Sequence, residues 1–190
     1  MLSKKEDRRI TKTRISIKNA FIELLQKNPQ KEPSVQDITT QANINRSTFY
    51  AHYADTFALR EELEDELINE IKITFEGSPQ KETTEENIQN LWVYKFFNFM
   101  KDNQQMCNIL FMENCNSRFT AKLTQALHQE VMKTIPESAK QHHVINANEY
   151  LSTFIAYGLV GIMLKWVQEG GIQSAEEIIE MYLSLTPHNQ

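Results

Sequence analysis

The chain has 190 residues, 41% hydrophobic and 9% aromatic, which is enough apolar surface to exclude wholesale disorder and leaves room for a small module plus a regulatory domain. Five Gly and five Pro are too few for the many short strands of a sandwich or barrel, and no run approaches the roughly 18–20 consecutive apolar residues of a membrane span. The net charge of −5 argues against a nucleic-acid partner only until it is divided: residues 1–60 hold 11 Lys/Arg against 6 Asp/Glu, and residues 61–190 hold 9 against 19.

Eight basic residues (Lys4, Lys5, Arg8, Arg9, Lys12, Arg14, Lys18 and Lys27) fall in the first thirty positions, as a phosphate-facing arm requires. No apolar stretch succeeds this basic start, so no secretory leader is expected and the expected location is cytoplasmic. Cys107 and Cys115 lack metal-type spacing and read as ordinary reduced thiols. His128, His142 and His143 supply zinc-ligand chemistry without a zinc-like arrangement, so neither a metal nor another cofactor is expected.

In chain order, a first helix is predicted over 11–27, where Ile17, Ala20, Phe21, Leu24 and Leu25 make one apolar stripe. It ends before Pro29. A short second helix opens after Pro33 with Ser34 as its N-cap and turns Val35, Ile38 and Ala42 to one side. Asn43-Ile44-Asn45 then reads as a tight turn, with Asn43 left-handed and Asn45 capping the third helix. That helix, 46–53, packs Phe49 and Tyr53 inward and turns Arg46, Ser47, Thr48, Tyr50 and His52 outward.

A long, acidic fourth helix follows Asp55 and runs to about Phe75 through Leu59, Leu63, Leu67, Ile68 and Ile71. Gly77-Ser78-Pro79 breaks it, and Thr83-x-x-Glu86 is a capping box for a fifth helix, 85–103, apolar on a broad face. Two further helical stretches cover 105–113 and 116–135. The next, 147–169, is apolar almost all round and stops at Gly170-Gly171. Ser174-x-x-Glu177 caps the last. The predicted fold is therefore all-α: an N-terminal three-helix helix-turn-helix domain over 1–55 and a helical domain over 56–190.

The string Ser34-Val35-Gln36-Asp37-Ile38, with Ala42 to Tyr53 (ANINRSTFYAHY), Asp55 and Leu59 after it, closely resembles the DNA-binding signature of the TetR family. That resemblance implies a homodimer on double-stranded operator DNA, with Gln36, Asn45, Arg46, Ser47, Thr48, Tyr50, His52 and Thr56 as the DNA-facing residues. Its chemistry is suitable: Gln can pair bidentately with adenine, Arg with guanine or phosphate, and hydroxyls with phosphate oxygens. Asn43 and Asn45 replace the family's usual Gly and Ser while keeping the turn and cap chemistry. Thr56 stands where the family commonly has lysine, so a phosphate contact there passes to a hydroxyl or is missing.

The second half resembles the family in organisation, and FIAYGLVGIMLKWVQEGG (154–171) is similar to regulators of the dihydroxyacetone-kinase type. The resemblance implies a repressor released by a small-molecule effector, with the last two long helices joining partner chains around Gly158 and Gly161. Trp92, Phe96, Phe99, Met100, Phe111, Phe119, Tyr157 and Trp166 are candidate effector-lining residues, although aromatic and Met stripes at helical spacing also describe ordinary core. An enzyme is disfavoured because a Gly-rich phosphate loop, a nucleophile elbow and an HExxH helix are all lacking. An activator or an adaptor controlled by a partner protein stays open.

Overall fold

The computed structural model describes residues 4–29, 31–75, 85–112, 117–134 and 146–185, and among these all regular structure is helical. The helices are α1 (Lys4–Lys27), α2 (Val35–Gln41), α3 (Arg46–Tyr50), α4 (Thr56–Phe75), α5 (Glu85–Asp102), α6 (Gln104–Met112), α7 (Ser117–Thr134), α8 (Ala147–Gln168) and α9 (Ala175–Leu185). They form two compact units, Met1–Glu66 and Leu67–Gln190. The first unit extends past the expected limit at residue 55, because the first half of α4 buries Leu59, Arg60 and Leu63. The Gly77-Ser78-Pro79 break and the Thr83-x-x-Glu86 box lie outside the described residues.

In the first unit, α1 buries Ile17, Ala20, Phe21 and Leu25 of the expected stripe and leaves Leu24 half-buried. Its start is earlier than the expected residue 11: no Pro or Gly interrupts 4–27, and the Lys, Arg and Glu residues there favour a helix, so the basic arm is itself helical. Ser34 caps α2 in a capping box. Its hydroxyl accepts from the Asp37 N–H at 3.2 Å, and the Asp37 carboxylate accepts from the Ser34 N–H at 3.0 Å.

The turn after α2 closes as a Schellman motif. Asn43 N–H donates to the Thr40 carbonyl at 3.2 Å and Ile44 N–H to the Thr39 carbonyl at 3.0 Å, with Asn43 at φ +51°. Asn43 thus fills the left-handed position, which its short polar side chain tolerates. Asn45 departs from expectation. It occupies the N-cap position of α3 in an extended conformation, but its side chain makes no capping hydrogen bond.

Helix α3 is also shorter than expected, ending at Tyr50. Helix-like bonding nevertheless continues, as Tyr53 N–H donates to the Phe49 carbonyl at 2.9 Å. Phe49 and Tyr53 therefore stay on one buried side, their ring centroids 5.8 Å apart. Asp55 then caps α4 by accepting from the Ala58 N–H at 2.8 Å.

In the second unit, α8 packs most extensively on α7 and also on α6, while α5 packs on α9. The core between them includes Phe96, Phe97, Met100, Leu110, Phe119, Leu123, Leu159, Met163 and Ile179. Helix α8 is long and apolar enough to cross a membrane by length and composition alone, although Asn148, Glu149, Ser152, Thr153 and Lys165 keep it from being the continuous apolar run that the sequence reading found absent. One of its sides is core (Ser152, Ala156, Leu159, Val160, Met163, Trp166 and Val167). It ends in a second Schellman motif, with Gly170 at φ +80° and Gly171 at φ +64°. A Cβ at Gly171 would lie 2.1 Å from Gln104 Nε2, the amide that donates to the Gly170 carbonyl.

Phe49→Ala is expected to cost about 3–5 kcal/mol of unfolding free energy, because it empties a fully buried site. Tyr50→Ala, at a position 56% exposed, should cost roughly 0.5 kcal/mol or less. Denaturant titration of the two variants checks the rotational phase of α3, and a reversed order would refute it.

Candidate nucleic-acid interface

The outer surface of α2, the turn and α3 carries most of the residues singled out from the sequence. Gln36, Asn45, Arg46, Ser47 and Tyr50 are exposed, and Thr48, His52 and Thr56 are half-buried. Arg46, Ser47 and Tyr50 stay exposed around the buried Phe49, whose ring meets that of Tyr50 edge-on with centroids 5.7 Å apart. His52 sits beyond the helix end, its ring centroid 6.5 Å from that of Tyr53, and Thr56 is the first residue of α4. An open cleft of about 640 Å³ runs across this surface. Arg9 and Thr13 of α1 form part of its wall, with Gln36, Thr40, Asn43, Asn45, Arg46 and Thr48 among the other lining residues.

Two of the expected DNA-facing side chains are bonded to each other. Arg46 Nε donates to Gln36 Oε1 at 2.9 Å, Arg46 Nη2 donates to the same oxygen, and Gln36 Nε2 donates to Thr40 Oγ1 at 3.0 Å. Thr40 escaped the sequence reading, although its i,i+4 spacing from Gln36 on a helix was a usable signal.

Charge pairs fix the frame behind this surface. Glu62 of α4 accepts from both Arg14 and Lys18 of α1, Lys18 also pairs with Glu66, and the Tyr53 hydroxyl donates to Glu62 Oε1 at 3.4 Å. The Arg14 guanidinium lies 5.8 Å from the Tyr53 ring centroid. Burial pushes the Glu62 carboxyl up, but the hydrogen bonds from Lys18 and Arg14 outweigh it and hold the group below its ordinary value of 4.5. Burial likewise lowers Lys18, yet its bonds to Glu62 and Glu66 leave it above 10.5. The sequence reading treated these as a basic arm and an acidic helix without pairing them. The matching i,i+4 spacings of Arg14/Lys18 and Glu62/Glu66 carried the signal.

A further ion pair, Arg60 with Glu32, lies deeper in the same unit. Arg60 is 7% exposed, and its guanidinium sits 5.5 Å from the Phe21 ring centroid. This basic residue is structural and takes no part in the outer surface.

The candidate effector residues divide. Phe96, Met100, Phe111, Phe119 and Trp166 are buried together with Phe99 packed against them; Phe111 and Phe119 stack edge-on at 4.8 Å, and Trp166 Nε1 donates to the Gln173 carbonyl at 3.0 Å. Tyr157 does not join them. It is 66% exposed on the opposite side of α8, with Tyr150, Phe154, Gly158 and Gly161. The Trp92 side chain, Cys115, His142 and His143 lie outside the described residues. Cys107 is buried, and burial pushes its thiol up to about 12, so it stays protonated.

Two short helices across a Schellman turn, braced by α1 and exposing polar and cationic side chains, define a helix-turn-helix regulator. Comparison with known proteins agrees. A profile of the TetR C-terminal family, described as "Transcriptional regulator C-terminal region", matches residues 86–188, so the chain belongs to the TetR family of transcriptional regulators. Among solved structures, a TetR transcriptional regulator from Streptococcus agalactiae 2603V superposes with a TM-score of 0.70 at 25% identity, over 96% of this chain and 97% of that one. The dihydroxyacetone kinase operon activator DhaS superposes with a TM-score of 0.63 at 19% identity, over 91% of this chain and 93% of that one, which shows a shared fold. The HTH-type transcriptional regulator YxbF of Bacillus subtilis (strain 168) is 35% identical over 81 residues, 41% of this chain; the match spans about a fifth of that relative's length.

The lowered Glu62 group makes a signed prediction. Its stabilising contribution is fully present above pH 4.5 and is lost as pH falls through the depressed folded-state value. Glu62→Gln should therefore be destabilised relative to wild type at pH 7, with the gap narrowing toward about pH 3. Denaturant midpoints at both pH values measure it, and a gap independent of pH would contradict the assignment.

Proposed function

We propose that the chain binds operator DNA as a homodimer and acts as a repressor released by a small-molecule effector. The observation that carries the DNA reading is the contrast within α3 between Phe49, fully buried, and Arg46, Ser47 and Tyr50, which stay exposed. Placed in a major groove, those exposed residues present hydrogen-bond donors to base edges, with Thr48 and Gln36 beside them. Arg9 and Thr13 bring the helical basic arm to the same cleft, where cations and hydroxyls suit phosphates. Asn45, His52 and Thr56 flank the groove-reading turn as backbone contacts.

Dimerisation is supported by α8. Tyr150, Phe154 and Tyr157 are 70%, 69% and 66% exposed and recur at helical spacing with Gly158 and Gly161, where an added Cβ would meet nothing within 4 Å. Such an apolar stripe is a cost in water unless a partner covers it, and its glycines admit a second helix closely. Two recognition helices about 34–36 Å apart could then enter successive major grooves on one DNA face.

The effector would lodge among Phe96, Phe99, Met100, Phe111, Phe119 and Trp166, separating side chains that otherwise pack on each other. Helix α4 contributes residues to both units, so a ligand preferring one arrangement of this helix would alter DNA affinity. The close packing of those aromatics favours a second reading, an activator or an adaptor worked by a protein partner. The likeness to the activator DhaS is consistent with it.

Affinity for a selected operator duplex should fall steeply with salt, by about 10³–10⁵ between 50 and 200 mM if six to ten phosphates are contacted. Fluorescence anisotropy measures this, and a flat response would refute the phosphate-facing arm. Gly161→Glu should yield monomers in analytical ultracentrifugation and lose operator affinity. A dimer surviving that change would place the interface elsewhere.

A further inference from the structure

The Arg46–Gln36–Thr40 chain of hydrogen bonds distinguishes two residues that look equivalent in sequence. A guanidinium has two usable edges in one plane: a side edge made by Nε and Nη2, and an end edge made by Nη1 and Nη2. Gln36 Oε1 accepts from both Nε and Nη2 of Arg46, so Gln36 occupies the side edge. The end edge points away from Gln36, on a residue that is exposed and opens α3. The Gln36 amide is also engaged, donating to Thr40 Oγ1, so its oxygen stays turned toward Arg46. For Gln36 to read adenine through both its carbonyl and its amide, both sets of bonds would have to break.

We infer that Arg46 reads a guanine through its Nη1–Nη2 edge and that Gln36, anchored by Thr40, is a positioning residue that holds Arg46 at that angle. The inference rests on the DNA-binding reading and adds to it a base and a division of labour. Bidentate contact to O6 and N7 is the commonest specific use of arginine in a major groove, and the first residues of a recognition helix are those that reach base edges. A side chain already fixed by a neutral acceptor loses less rotamer freedom when it meets the base than a free one.

The experiment selects a duplex from a random library with the full-length protein, then measures affinity for every single base-pair substitution with wild type, Arg46→Ala, Gln36→Met and Gln36→Glu. Each variant's thermal melt is checked first, and both substituted positions are exposed. The expected result is one G·C pair per half-site that wild type prefers by roughly 5–150-fold, with that preference collapsing in both Arg46→Ala and Gln36→Met. Gln36→Glu keeps the acceptor, so it should retain the preference while binding all duplexes more weakly.

Retention of the preference in Gln36→Met overturns the positioning role. A loss in Arg46→Ala that is uniform across all duplexes, with a shallower salt slope, makes Arg46 a phosphate contact and overturns the guanine assignment. If the library enriches no duplex at all, the DNA-binding reading itself fails and this inference goes with it.

Discussion

Complete burial of Phe49 is the constraint on which the outer surface depends. A helix of five residues has little stability of its own, since nucleation is unfavourable and few hydrogen bonds reward it. Helix α3 is held in place by the packing of Phe49 and, one turn later, Tyr53 into the core formed by α1, α2 and the first half of α4. Fixing one side of a helix fixes the other, because side-chain directions obey the 3.6-residue period. With Phe49 turned inward, Ser47 lies roughly opposite it, and Arg46 and Tyr50 flank it yet stay exposed.

The Schellman turn and the charge pairs set where that surface points. Asn43 in the left-handed region reverses the chain within three residues, and the bonds from Asn43 and Ile44 satisfy carbonyls that the end of α2 would otherwise leave open. Glu62, with Arg14 and Lys18, joins α4 to α1. Exposed ion pairs usually stabilise by about 0–1 kcal/mol, so their larger effect here is on orientation. The same basic helix that supplies Arg9 to the cleft uses Arg14 and Lys18 to hold its own angle. Net basic charge in this region thus overstates the number of cations available to phosphates.

The helix-turn-helix was legible in sequence because its determinants are local: a Ser34 N-cap, an Asn in a turn, and an aromatic at the right spacing from Tyr53. Each acts within a few residues. The bond between Arg46 and Gln36 was not legible, since it joins different helices and depends on the angle between them. The sequence reading also missed the structural role of Arg60, which the 3.6-residue period sets on the side of Leu63 and Leu67 and which the fold buries beside Phe21 and Glu32. Tyr157 was grouped with the core aromatics for a related reason. A helix apolar all round has no periodicity to say which side is covered, so only packing separates Tyr157 from Met163 and Trp166.

The central claim is that one side of α3 meets DNA while one side of α8 meets a second copy of the chain. Hydroxyl-radical footprinting of a selected duplex, combined with the mass of the complex in solution, probes both sides together. The account predicts two protected patches about one helical turn apart on a single DNA face, with two chains per duplex. A single patch carrying one chain would contradict it.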